Sequence, residues 1–145
     1  MASNVCALRV TEEQLRAPVR TRRGPQSLLI LDSAPLEGYR HVLELYSRAA
    51  HGFVFVYSIT ARDTFVEAFQ LIDGIHELRK RGRIAGVLVG NKSDLESQRA
   101  TTLEEGQQLA ERYGLAFFET SAKSAMHVDE VRAPRYMAIR CRSTH

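Results

Sequence analysis

The 145 residues carry a formal net charge of +3, with 44% hydrophobic and 26% charged side chains. That length supports one domain with one continuous core, and the balance is ordinary for a soluble globular fold. So mild a charge leaves no footprint for nucleic acid, no apolar run approaches the ~20 residues of a membrane helix, and the N-terminus lacks a secretory pattern.

In chain order, the first feature is a basic cluster of Arg16, Arg20, Arg22 and Arg23. Its simplest reading is a solvated hairpin; a membrane-surface or partner-binding patch is the other. A strand near residues 17–22, turning at Gly24-Pro25 toward Leu28, is expected. Leu28-Leu29-Ile30-Leu31 reads as a short strand buried on both faces and ending at Asp32. Val42, Leu45, Tyr46 and Ala49 then recur at helical spacing, with Gly52 as a stop. Phe53 to Ile59 is the strongest strand pattern, rich in β-branched and aromatic residues.

Thr60 with Asp63 resembles a capping box opening the next helix, whose apolar stripe is Phe65, Ala68, Phe69, Ile72 and Ile75. Arg79, Lys80 and Arg81 complement its dipole, and Gly82 ends it. Residues 84–90 return as a strand. Thr102 with Glu105 opens another helix, carrying Leu109, Ala110 and Tyr113 inward and closing at Gly114. Leu115 to Phe118 is the last strand. Strands alternating with helices predict an α/β fold with a mostly parallel sheet flanked by helices.

The ends differ in quality. Cys6 and Cys141, the only cysteines, stand far apart and read as reduced thiols of an intracellular protein. Pro134 falls where a final helix should gain length, a cost of about 3 kcal/mol in a helix interior. The chain therefore divides into a weakly patterned segment 1–25, an α/β body 26–131 and an irregular tail 132–145.

Two strings carry chemistry. Asn91-Lys92-Ser93-Asp94 follows a buried strand at its carboxyl end, where open α/β sheets bind ligands. A carboxylate there accepts the ring N1–H and exocyclic amine of guanine, a donor pair adenine does not offer. A side-chain amide serves the Hoogsteen edge, and a Lys stem lies along the ring. The bland alternative is a polar turn after a strand. Ser121-Ala122-Lys123 also follows a strand; the Ala122 N–H suits the exocyclic oxygen, and Lys123 the other ring face. By itself that string equally reads as a helix N-cap. The two strings lie about thirty residues apart with a helix between them.

In order and spacing, LLILDSA, GFVFVYSIT, VLVGNKSDL, LEEGQQLAERYG and FFETSAK resemble the Ras family of small GTPases, from about Gln26 to Glu130. The resemblance implies the P-loop NTPase fold and a GTP/GDP-binding signalling switch that hydrolyses GTP. Asn91, Lys92, Asp94, Ser121, Ala122 and Lys123 would grip guanine, and Asp32 would hold Mg²⁺ through water. It further implies effector or regulator partners, and a cytoplasmic location peripheral to the inner membrane face.

The departures have consequences of their own. D-x-x-G reads Asp32-Ser33-Ala34-Pro35, and Pro35 has no N–H for a γ-phosphate. Leu36 replaces the family's water-orienting Gln, whereas Tyr39 keeps an aromatic of its second switch. No G-x-x-x-x-G-K-[ST] occurs, so the first strand, phosphate loop and first helix are expected to be missing. Thr11 is the local candidate for the Mg²⁺-binding Thr, with a turn cap before Glu12 as its plainer role. The missing strand would lie between the strands at Leu28–Leu31 and Phe53–Ile59, leaving two buried edges without partners unless residues 1–25 fill the slot. Cys141 is fifth from the end, one place off a prenylation signal. Base contacts alone, three or four at about 1–3 kcal/mol each less the entropy of binding, imply nucleotide affinity of about millimolar. The alternatives are a non-catalytic pseudo-GTPase interaction module and a truncated or mis-joined product of a longer gene.

Overall fold

A computed structural model describes residues 15–21, 24–30, 39–121 and 123. Strands β1 (Leu15–Thr21) and β2 (Gly24–Ile30) form an antiparallel hairpin, with Thr21 opposite Gly24 and Leu15 opposite Ile30. Gly24 and Pro25 thus lie inside the ladder rather than at the expected turn. Helix α1 (Tyr39–Ala49) follows, then β3 (Phe53–Ser58), α2 (Arg62–Leu78), β4 (Gly86–Asn91), a 3₁₀ segment (Ser93–Gln98), α3 (Leu103–Tyr113) and β5 (Ala116–Thr120).

Strands β3, β4 and β5 pair in parallel, in that order, in a sheet separate from the hairpin. Among the described residues β2 and β3 do not pair, and the break falls where the resemblance puts an additional strand.

The largest core cluster lies on one face of the three-stranded sheet, and Val87 and Val89 of β4 are buried on the other. Register brings Phe53, Phe55 and Tyr57 of β3 onto the face shared by Gly86, Leu88 and Gly90 of β4 and by Phe117 of β5. Phe53, Phe55 and Tyr57 are buried against Ala68, Leu71, Ile72 and Ile75 of α2, and Leu109, Ala110 and Tyr113 of α3 complete the cluster. Small residues make room for the rings. A Cβ on Gly106 of α3 would stand 2.6 Å from both the Tyr57 hydroxyl and Phe117 Cζ.

The two helix starts differ. Thr102 makes both bonds of its capping box: its Oγ1 accepts from the Glu105 N–H at 3.2 Å, and Glu105 Oε2 accepts from the Thr102 N–H at 2.9 Å. Gly114 closes α3 with φ 67°, as the sequence predicts. The expected box at Thr60 does not form. Thr60 Oγ1 bonds instead to Ser58 Oγ at 2.9 Å, and α2 starts after Ala61, which makes no side-chain cap. Thr64 is the hydroxyl that organises this corner, accepting from the Ser58 N–H at 2.9 Å and donating to the Ala61 carbonyl at 2.7 Å.

Two further expectations are corrected. Leu43 of α1 and Ala50 just beyond it pack against the core cluster and Ser47 is buried, whereas Leu45 is 58% exposed. Gly74 of α2 leaves room for Leu43, because a Cβ there would stand 2.8 Å from Leu43 Cδ2. Helix α2 ends at Leu78, so Arg79 to Arg81 lie beyond it, and Lys80 and Arg81 take positive φ. The Arg79 guanidinium turns to α1 instead. Its Nε donates to the Ser47 carbonyl at 3.0 Å and its Nη2 to the Ala50 carbonyl at 2.7 Å, with the cation 5.0 Å from the Phe53 ring. Carbonyls at a helix C-terminus lack intrahelical donors and carry partial negative charge, which this cation answers.

Candidate guanine-reading site

Asn91 ends β4 with Ser58 of β3 on one side and Thr120 of β5 on the other. All three strands run parallel, so the loops leaving β4 and β5 emerge side by side at the carboxyl edge of the sheet. The β4 loop bends at once. Asn91 Oδ1 accepts from the Lys92 N–H at 2.8 Å, and Lys92 adopts φ 66°, a left-handed conformation uncommon outside glycine. The Leu95 N–H then donates to the Lys92 carbonyl at 2.9 Å, closing a turn that carries Asp94 at its exposed tip.

A short bond joins the loops: the fully buried Ser121 donates its hydroxyl to Asp94 Oδ1 at 2.6 Å. That hydroxyl is the first cause holding the Asp94 carboxyl below its usual pKa. Desolvation opposes it and is the next largest influence, while the loop's own backbone N–H and the Lys123 and Lys92 charges add to the lowering. Asp94 is therefore a carboxylate at neutral pH, exposed and flanked by two cations.

Of the residues read from the sequence, the structure thus brings Asp94 and Ser121 into contact, with Lys92 and Lys123 close enough to act on the carboxylate. With Oδ1 of Asn91 committed to the backbone, the NH₂ is the amide end left to donate outward. Ala122, Asp32 and Thr11 lie outside the described residues. Among the described residues, no cluster of three or more His, Cys, Asp or Glu side chains could hold a metal, and no helix is long and apolar enough to cross a membrane.

Residues 6–139 match the profile of the Ras family. The chain belongs to that family. It is similar to Ras-like protein 1 of Saccharomyces cerevisiae (strain ATCC 204508 / S288c), 43% identical over 101 residues that cover 70% of this chain and 33% of that protein. It is also similar to the GTP-binding protein Rit2 of Mus musculus, 40% identical over 119 residues, or 82% of this chain and 55% of that protein. The chain thus spans between a third and just over half the length of these curated relatives. Within the Ras family, the adjacency of the β4 and β5 loops puts the two strings quoted from the sequence at one edge of one sheet.

The sequence reading missed Arg99. It follows the 3₁₀ segment and forms a fork with Glu119 of β5: Nη1 donates to Oε1 at 2.7 Å and Nη2 to Oε2 at 2.8 Å. The same guanidinium donates to both carboxylate oxygens of Glu96, at 2.8 and 2.6 Å, and to the Thr101 carbonyl at 3.1 Å. The Glu96–Arg99 spacing is visible in the sequence as a helical pair, but Glu119 stands twenty residues away.

Proposed function

We propose that this Ras-family chain is a guanine-nucleotide-binding module in which Asp94 reads the base and GTP hydrolysis is impaired. The observation that carries the reading is the Ser121–Asp94 bond, because it joins the two sequence strings and presents an ionised carboxylate. Such a group accepts the N1–H and exocyclic amine of guanine. The Asn91 NH₂ suits acceptors on the Hoogsteen edge, and the Lys92 and Lys123 stems suit the ring faces. The Ala122 N–H would serve the exocyclic oxygen. Mg²⁺ would be held through water by Asp32, and it would supply charge neutralisation at the phosphates.

The phosphate side supports the second half of the proposal. Pro35 offers no N–H, and the Leu36 side chain neither donates nor accepts, so the positioning and electrostatics that drive phosphoryl transfer are depleted there. These two residues also favour the second reading, a non-catalytic module whose helices engage effector or regulator proteins.

Nitrogen-edited NMR of the full chain, titrated separately with GDP, IDP and ADP, tests the base reading. GDP should shift the Asp94 and Lys123 amides at a Kd of about a millimolar. IDP, lacking the exocyclic amine, should bind several-fold more weakly, and ADP should give no localised shifts. Asp94→Asn should invert the preference toward xanthosine diphosphate, whose C2 oxygen accepts from an amide. Equal responses to GDP and ADP would sink the guanine reading and leave the interaction module. Binding should also fall in acid. The Asp94 pKa is depressed, so its carboxylate persists at pH values below the usual carboxylate range and is lost only as pH drops through the lowered value.

A further inference from the structure

We propose that Arg99 is a positioning residue for guanine selectivity: by clamping Glu119 of β5 to the loop after β4, it holds Asp94 against Ser121 without touching the base. The inference rests on the guanine reading above. Its geometry is that of a cross-link between the two base-reading loops. On one side Arg99 ends the turn that presents Asp94, where its guanidinium grips Glu96 and the Thr101 carbonyl. On the other it makes a two-bond fork with Glu119, two residues before Ser121.

The clamp is sheltered. The Arg99 and Glu119 side chains are 17% and 16% exposed, so salt screens this pair less than an open surface bridge. The fork fixes orientation as well as distance, because a planar guanidinium meets a carboxylate through two parallel bonds. Backbone anchoring strengthens the same point: the Ala100 and Thr101 N–H groups both donate to the Ile59 carbonyl, at 2.7 and 3.1 Å. Arg99 therefore leaves from a fixed stretch of chain. The Ser121–Asp94 bond spans only 2.6 Å, and small displacements of one loop against the other would open it.

The test uses the full chain and two variants, Arg99→Ala and the isosteric Glu119→Gln, which keeps the side-chain volume if the first fails to fold. Two readouts are needed. Carboxyl-carbon NMR follows the titration of Asp94 without nucleotide, and amide shifts give the GDP-over-ADP preference. Either variant should bring the Asp94 titration back toward the ordinary carboxylate range and lower the preference about tenfold, with the double variant no worse than either single one. A thermal midpoint still in the folded range separates this from general unfolding. An Asp94 titration unmoved in both folded variants overturns the clamp while leaving the guanine reading intact. A moved titration in a protein whose parent never preferred GDP overturns the guanine reading, and the selectivity role with it.

Discussion

The two ends of the parallel sheet are built from different kinds of contact. At the carboxyl end, side chains tie the loops to one another and to the strand ends: Ser121 to Asp94, Arg99 to Glu119, Ser58 to Thr60. At the amino end, Arg79 joins helix to helix, its guanidinium on the last carbonyls of α1 and over the Phe53 ring. The difference teaches where function and stability separate. The side-chain bonds at the carboxyl end fix how the loops sit against each other, whereas a cation satisfying helix-terminal carbonyls stabilises the packing of α1 on α2. The hairpin β1–β2 belongs to neither end, pairing with itself alone among the described strands.

The comparison breaks outright if the layer between the two ends is removed. Phe55 is fully buried between α2 and the sheet, 5.8 Å from Phe53 ring to ring. Phe55→Ala should cost about 3–5 kcal/mol, a large share of a domain's stability, and abolish nucleotide shifts along with the folded state. Urea denaturation followed by circular dichroism measures it. A loss below about 1 kcal/mol would mean that the core is not centred on this face.

A change at the amino end sharpens the comparison. Arg79→Ala removes two charged hydrogen bonds to carbonyls and should lower stability by about 1.5–3 kcal/mol. The GDP-over-ADP preference should stay unchanged in the folded fraction. Arg79→Lys should recover only part of the loss, since one ammonium does not reproduce a fork reaching two carbonyls. If either variant shifted the preference, the two ends would be coupled and the separation would fail.

How much of this was legible in the sequence depended on how far apart the partners lie. The α3 start was readable because Thr102 and Glu105 satisfy each other within one turn. The apolar stripe of α2 was readable because its period is internal to the helix, and Ala68, Ile72 and Ile75 are buried as the pattern requires. The α1 helix was readable from its spacing, but that Leu43 packs inward while Leu45 is exposed depends on Gly74 of another helix, which leaves room for Leu43. Arg79 was assigned to its own helix, yet its partners are 29 and 32 residues upstream. At the site, Asp94 and Ser121 stood out because each sits in a recognisable string, while Arg99 sits in neither. Its role exists only once parallel pairing sets Asn91 beside Thr120.

The smallest effect separates the two Thr-led helix starts at the carboxyl end, which look alike in sequence and differ in structure. Thr102→Ala deletes the acceptor for the Glu105 N–H and should cost about 1 kcal/mol, the usual loss for an N-cap. Thr60→Ala removes a hydroxyl whose one bond is to Ser58 Oγ and caps no helical N–H, so it should stay within about 0.5 kcal/mol. Thermal midpoints of the two variants, taken side by side, decide between the readings. A larger loss at Thr60 would show that the Ser58–Thr60 pair holds the end of β3 more firmly than the capping box holds α3. Equal losses would restore the box that the sequence suggested at Thr60. The expected ordering instead follows from which backbone N–H groups each hydroxyl satisfies: one at Thr102, none at Thr60, where Thr64 takes over that work by accepting from the Ser58 N–H.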